Sequence, residues 1–249
     1  MHTLAILNEK GGAGKTTTAV NLAAALGELG RRVLLVDMDG QAATSRWLGV
    51  EGDTRLVDAL RDPEQEKALE PIPEIWPGVS LAPGHATLDA AAHLLKPAQT
   101  GRLRDVLAPL RRRFDVCLID SPPGLAGRLV ANTIVASTHA LIPVETSVLA
   151  LDGLKAVLRA LQDLQTRYGH DMALVGVVAC RFDVRTRLSG EVLTELLRAL
   201  GRKVFATTIR ENVRLRECPA SGQSILTFAP ESNGAADYRA LAREVEKRL

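Results

Sequence analysis

Aromatic side chains are scarce in this chain: two Trp, two Tyr and four Phe, 3% of 249 residues. The core must therefore be built from Leu, Val, Ile and Ala, and a 46% apolar content is enough for a well-buried sheet. Cysteine is scarcer still. Cys117, Cys180 and Cys218 stand far apart with no C-x-x-C spacing. That pattern argues against a zinc site or a disulfide scaffold and for a reducing compartment. No stretch approaches the roughly 20 uninterrupted apolar residues of a membrane span. The N-terminus lacks the basic, apolar and small-residue succession of a secretion signal, because Lys10 interrupts it. No repeat or low-complexity tract occurs.

Net charge is also small, +2, but it is unevenly spread. The segment 181–216 carries nine basic and four acidic side chains, so it is +5 and the remainder is −3. A local basic surface of this kind suits a polyanion. Arginine outnumbers lysine 24 to 7 in the whole chain, so a merely solvated arginine-rich surface is the plainer reading.

What is present in strength lies near the start. Leu4-Ala5-Ile6-Leu7 is a short apolar run, and residues 19–29 read as a helix. Between them stands Asn8-Glu9-Lys10-Gly11-Gly12-Ala13-Gly14-Lys15-Thr16-Thr17-Thr18. Strand, glycine-rich turn and helix N-terminus make a phosphate cradle, where backbone N–H groups and the helix dipole converge on one anion. Gly12 and Gly14 let the backbone approach without a Cβ in the way. Lys15 would reach the β- and γ-phosphates of a nucleotide, and the Thr16 hydroxyl would hold Mg²⁺. A dinucleotide fingerprint is the rival, since Gly12-x-Gly14 has Asp37 about 20 residues later. It fails at the third glycine, where Thr17 sits, and leaves Lys15-Thr16 unexplained.

Residues 32–36 read as a buried parallel strand without alternation, ending in Asp37-Met38-Asp39-Gly40-Gln41. In open α/β sheets, ligands sit outside the carboxyl ends of the strands, so these acids emerge beside the cradle. Residues 114–120 form a second such run, ending in Asp120 before Ser121-Pro122-Pro123-Gly124. An aspartate there holds a Mg²⁺ water and keeps the metal on the phosphates; as a bland alternative it is a helix cap. Further strands are expected over 79–82, 140–144, 173–180 and 204–209. Helices are expected over 88–95, 103–112, 149–167, 186–200 and 234–249. The stretch 51–78, with Pro63, Pro71, Pro73 and Pro77, reads as surface loops and short helices. Alternating strands and helices imply an α/β fold, a doubly wound and mostly parallel sheet flanked by helices. One domain over 1–249 is expected.

The first glycine of G-x-x-x-x-G-K-[ST] would fall on Glu9; instead Lys10 precedes Gly11-Gly12. This K-G-G-x-G-K-[ST]-T form resembles the deviant Walker A box of the ParA/MinD ATPases. The resemblance implies that Lys10 reaches across a nucleotide-sandwiched dimer to the partner's phosphates. Residues 10–17, Ala13 and Thr17 included, then line the nucleotide. Residues 37–43 resemble the family's first switch, D-x-D-P-Q-x-N, with Gly40 for proline and Ala43 for asparagine. Asp39 is thereby the acid that orients the attacking water, and it joins Thr16 and Asp120 about the metal. The run 120–123 resembles the second switch. Residues 177–186 look like the stretch before the family's late helix. Residues 209–215 resemble I-P-R-N-V-R-L with Arg210 in place of proline, and 221–225 and 230–235 match closing motifs.

The likeness covers nearly the whole chain and is nearest to the short ParA/Soj-type partition ATPases. It implies base contacts at Arg210 and Asn212, and non-specific DNA contacts at Arg185 and Arg214, both inside the basic segment. The expected protein binds Mg-ATP, forms an ATP-dependent homodimer and hydrolyses slowly. It works with double-stranded DNA and a ParB-type activator in the cytoplasm, on the nucleoid, to segregate chromosome or plasmid DNA. Positioning of another cargo is an alternative. A MinD-type membrane-cycling ATPase is another; it should end in a basic amphipathic helix, whereas 240–249 carries balanced charge. A metabolic or reductase relative bridged by an iron–sulfur cluster would need two well-placed cysteines.

Overall fold

Apolar runs without alternation become strands covered on both faces. The computed structural model describes residues 1–50, 52–61, 69–94, 100–124, 126–148 and 150–249. Its strands are β1 (His2–Ile6), β2 (Val33–Asp37), β3 (Ile72–Trp76), β4 (Val79–Ala82), β5 (Val116–Asp120), β6 (His139–Glu145), β7 (Ala173–Phe182) and β8 (Ile209–Arg210). The early helices are α1 (Lys15–Glu28), α2 (Ala43–Trp47), α3 (Arg55–Arg61), α4 (Leu88–Leu94), α5 (Arg102–Leu107) and α6 (Arg128–Ala136). The later ones are α7 (Ala150–Tyr168), α8 (Arg187–Leu200), α9 (Val213–Glu217), α10 (Ile225–Phe228) and α11 (Asn233–Glu246). The sheet order is β3-β4-β2-β5-β1-β6-β7-β8, with β3 antiparallel to β4 and the other described pairs parallel.

Successive strand residues point to opposite faces. Leu4, Ile6, Val33, Leu35, Val116 and Leu118 pack on one side with α1 and α11. Leu34, Val36, Cys117 and Ile119 pack on the other, under α3, α4 and α5. Ala5, Leu7, Ile142, Val144 and Val177 continue that second face under α6, α7 and α8. The core is aliphatic, as the composition requires, and the aromatic exceptions fill two late positions: Phe205 and Tyr238 are the bulkiest fully buried side chains.

Several boundaries differ from the sequence-based expectation. Helix α1 starts at Lys15, four residues before residue 19, because Gly14 in the left-handed region (φ 92°) turns the chain straight into the helix. The stretch 51–78, which reads as loops and short helices, contains a strand, β3. Pro73 is tolerated there because β3 is an edge strand. The helix expected over 103–112 divides at Pro109, with a 3₁₀ turn, Ala108–Arg112, after α5. The strand expected over 204–209 shrinks to β8 and a single bridge from Val204 to Val177. The Ala206 and Thr207 N–H groups go instead to the Glu244 carboxylate of α11, at 3.0 and 2.7 Å. Residues 63, 95 and 149, named in the expected elements, lie outside the described residues.

Beyond that one bridge, the segment 204–208 is thus held by one ring and one carboxylate rather than by a continuous ladder. Phe205→Ala should cost about 3–5 kcal/mol of unfolding free energy, the usual range for truncating a buried Phe. Glu244→Gln should cost about 1–3 kcal/mol, since it weakens charge-assisted bonds without emptying volume. Urea unfolding followed by circular dichroism checks the order.

Candidate nucleotide-binding and hydrolysis site

Parallel strands bring their carboxyl ends to one edge of the sheet, and every site residue read from the sequence leaves from that edge. The cradle follows β1, Asp39 follows β2 and Asp120 ends β5. Arg185 follows β7; Arg210 ends β8 and Asn212 caps α9. The register sets Asp37 of β2 directly across from Asp120 of β5.

In the cradle, Gly12 (φ 78°) and Gly14 (φ 92°) adopt the left-handed backbone. The α1 N-terminus has no side-chain cap, so its first N–H groups remain available to an anion. Gly11 and Gly12 have open space where a Cβ would sit. Asn8 braces the loop: its Nδ2 donates to the Pro143 carbonyl (2.6 Å) and its Oδ1 accepts the Lys10 N–H (2.9 Å). Buried Lys15 turns its ammonium back onto the carbonyls of Asn8 (3.2 Å) and Lys10 (3.1 Å). Burial lowers its pKa, while Asp120 and Asp39 pull it up. Ala13 is buried beneath the loop, and Thr17 faces a cavity described below.

Asp120 is fully buried. Its Oδ2 accepts hydroxyl bonds from Thr16 and Thr44, both 2.8 Å. Its Oδ1 has no partner. Burial first, then the facing Asp37, push the Asp120 pKa up. Asp37 is raised for the same leading reason, but it serves differently. Its Oδ2 accepts the Ser45 N–H (2.9 Å) and hydroxyl (2.7 Å), and its Oδ1 the Asp39 N–H (3.2 Å). It therefore holds the loop after β2 and the start of α2 against the strand rather than joining the cradle. Asp39 is half-buried, raised by desolvation, and caps Gln41 N–H at 2.9 Å. Gly40 has a steric reason to lack a side chain, since a Cβ would meet the Asp89 carboxylate.

An unpartnered buried carboxylate oxygen, two adjacent hydroxyls and a buried lysine fit a hydrated Mg²⁺ on a polyphosphate. No group of three or more His, Cys, Asp or Glu suited to a metal occurs among the described residues. One buried carboxylate beside two hydroxyls is a donor set for Mg²⁺, which keeps most of its waters and takes one or two carboxylates plus phosphate oxygens.

Beside the cradle lies a cavity of about 220 Å³, walled by Gly12, Gly14, Thr17, Cys180, Arg210 and Tyr238 among others. Asn212 lines it too, and its Oδ1 accepts the Arg214 N–H (2.9 Å) to cap α9. Burial pushes the Cys180 thiol up to about 12, which keeps that wall neutral. At the rim runs an ion-pair chain. Lys10 binds Glu145 at 2.7 Å, and Glu145 binds Arg181 at 2.8 Å. Arg181 and Arg216 share Glu211, each at 3.1 Å. Arg185 (84% exposed) pairs with Asp183, and Arg214 (61%) with Glu217.

Sequence reasoning missed Asn8, Thr44, Ser45, Glu145 and Glu211. Thr44 and Ser45 follow the switch motif immediately, and Glu145 ends a strand at the ligand edge. Those two positions are the signals that could have found them. The pairs from Lys10 to Glu145 and from Arg181 to Glu145 and Glu211 join residues 30 or more apart and have no sequence signal.

The raised carboxylates of Asp37, Asp39 and Asp120 fix a pH dependence. Where the folded pKa exceeds the unfolded one, the native state binds more protons, so stability falls as pH rises. Each such proton contributes a slope of up to about 1.4 kcal/mol per pH unit between the two pKa values. Without ligand, melting temperature should decline from about pH 4, the ordinary carboxylate range, until the raised values of about 6 for Asp37 and about 7 for Asp120 are passed. Asp37→Asn should flatten that decline. Scanning calorimetry across pH 5–8 on both proteins measures it; equal slopes would contradict the assignment.

Comparison with known proteins follows the same lines. A sequence family described as an AAA domain matches residues 1–174. The chromosome-partitioning ATPase Soj of Thermus thermophilus is 38% identical over 246 residues, covering 99% of this chain and 96% of Soj. Cyanothece McdA in its apo form superposes with a TM-score of 0.86 at 27% identity, covering 100% of this chain and 99% of McdA. The septum site-determining protein MinD of Pyrococcus horikoshii, complexed with Mg-ADP, gives a TM-score of 0.74 at 27% identity, with 99% and 96% covered. The chain belongs to the ParA/MinD family of deviant Walker A P-loop ATPases, as a ParA/Soj-like member.

Proposed function

We propose that this ATPase binds Mg-ATP in the cradle and uses it to close a homodimer on DNA. The observation that carries the reading is the convergence of Lys15, Thr16, Asp39 and Asp120 on one end of the sheet, with Lys10 exposed at the rim. Gly11, Gly12, Gly14 and Lys15 hold phosphate. Thr16 and Asp120 serve the metal, with Asp39 beside them. Bound Mg²⁺ would neutralise charge on the β/γ-phosphate oxygens. Asp39 orients the attacking water, and its raised pKa suits a group that accepts a hydrogen bond from it. Catalysis here is positioning and electrostatics. The base occupies the cavity against Arg210 and Asn212.

Lys10 holds only an exposed pair with Glu145, which is worth little and can be exchanged for a partner's phosphate. Arg185 lies in the turn after β7, and Arg214 lies in the first turn of α9, after β8. Their carboxylate partners can be replaced by DNA phosphates at small cost, because exposed pairs are weak. A ParB-type protein triggers hydrolysis and release, and the cycle segregates chromosome or plasmid DNA. One observation favours DNA over a membrane surface: Tyr238, Leu241, Ala242 and Val245 of α11 are spent in the core. No helix among the described residues is long and apolar enough to cross a membrane.

Two experiments test this. In light scattering with Mg-ATP, Asp39→Ala should bind nucleotide and accumulate as dimer. Lys10→Ala should bind and stay monomeric, and Lys15→Ala should do neither. An Asp39→Ala protein that binds ATP yet remains monomeric contradicts the assignment. In salt titrations of DNA binding, removing one arginine–phosphate interaction lowers the log–log slope by about one unit, hence by about two per substitution in a symmetric dimer. Arg185→Glu with Arg214→Glu should abolish ATP-dependent binding while dimerisation persists. Full-strength binding by that double variant, or a wild type that prefers one sequence, would overturn the DNA assignment.

A further inference from the structure

Among the described ion pairs, none has a less exposed carboxylate than the one between Arg210 and Asp237, where Asp237 is 9% exposed. The Asp237 carboxylate accepts the Arg210 backbone N–H at 3.0 Å, Nε at 3.0 and 3.1 Å, and Nη2 at 2.6 Å. Side chain and main chain of one residue are thus gripped by a single group on α11. Asp237 directly precedes Tyr238, which is fully buried and walls the cavity.

β8 is the edge strand opposite β3. The Glu211 N–H is given to the Phe182 carbonyl of β7. Along a strand, successive residues turn their N–H and C=O to opposite sides. Arg210 therefore turns both groups to the open edge, which the cavity adjoins. Its N–H is taken by Asp237; its C=O remains as an acceptor on that edge. A proline at 210 would fix this backbone through its ring and would have no N–H to give. Here the same backbone is fixed from outside, by a fork.

We infer that Arg210 and Asp237 are a positioning pair that sets nucleobase selectivity. The fork holds the residue-210 carbonyl where it accepts a hydrogen bond from an exocyclic amino group on the base. This rests on the reading that the base occupies the cavity. A 6-amino purine donates to that carbonyl. A 6-keto purine presents a second acceptor and leaves both oxygens unpaired, which is how a polar site rejects an analogue. If the fork is cut, the carbonyl can swing and the distinction fades, while the phosphate cradle on β1 and α1 is untouched.

Calorimetry with Mg-ATP, Mg-ITP and Mg-tripolyphosphate tests this on the full chain. Wild type should prefer ATP to ITP by at least about tenfold, the worth of about 1.4 kcal/mol. Asp237→Ala should bring the ATP/ITP ratio to within about threefold and leave tripolyphosphate affinity unchanged. The double variant Arg210→Ala/Asp237→Ala should do the same. It removes both partners, so no guanidinium is left without its carboxylate if the single variant folds poorly. The ratio is read on whatever protein is folded, so lost stability alone does not move it. A variant that keeps the wild-type ratio overturns the positioning role but leaves the base site standing. So does a parallel loss across all three ligands, which would make the fork a brace for the whole site. A wild type that does not distinguish ATP from ITP removes the base-site reading, and this inference with it.

Discussion

Uncompensated charge at the carboxyl edge of the sheet is the constraint on which the rest depends. Asp37 and Asp120 face each other across two buried strands, and Lys15 stands buried beside them. Burying like charges this closely is tolerable only when hydrogen bonds, a counter-ion or a proton intervenes. Asp37 is satisfied internally by Ser45 and the Asp39 N–H, so it is part of the frame. Asp120 keeps one oxygen unpartnered, and Lys15 rests on neutral carbonyls. Those two groups form the unfinished half of the arrangement. A polyphosphate with its metal is the ligand that completes both at once.

The same difference separates rigid from movable parts of the site. The frame is held by buried or partly buried bonds: Asn8 to Pro143, Thr44 to Asp120, Trp47 to the Gln223 carbonyl. The rim is held by exposed pairs among Lys10, Glu145, Arg181, Glu211 and Arg216. Exposed pairs contribute about 0–1 kcal/mol each, so they orient side chains without locking them. A rim built this way can trade its carboxylates for phosphates of a nucleotide, a partner subunit or DNA with little loss. The positive excess of the segment 181–216 thus coexists with an arginine surface that is paired in the isolated chain.

Where the sequence misled, local pattern lost to a tertiary contact. Residues 204–209 have strand composition, but Glu244 takes two of the N–H groups a ladder would need. β3 was hidden by prolines because edge position, which permits Pro73, is not a property of the segment itself. Asp37 and Asp39 looked like two acids beside one cradle. Only the fold separates them, since Ser45 on α2 captures the first and leaves the second half-exposed.

What the sequence determined by itself is the chemistry and its edge. Glycines that permit left-handed turns, a lysine and threonine opening a helix, and acids at the ends of two apolar runs are local facts. Strand geometry carries them to the same side. What only the tertiary structure decided is pairing: which carboxylate is braced and which is left open, that Lys10 meets Glu145, and that Asp237 grips Arg210. The last two pairs join residues 135 and 27 apart, and nothing in the spacing of either member predicts the other. Strand order and helix packing bring them within reach, and both are properties of the assembled sheet.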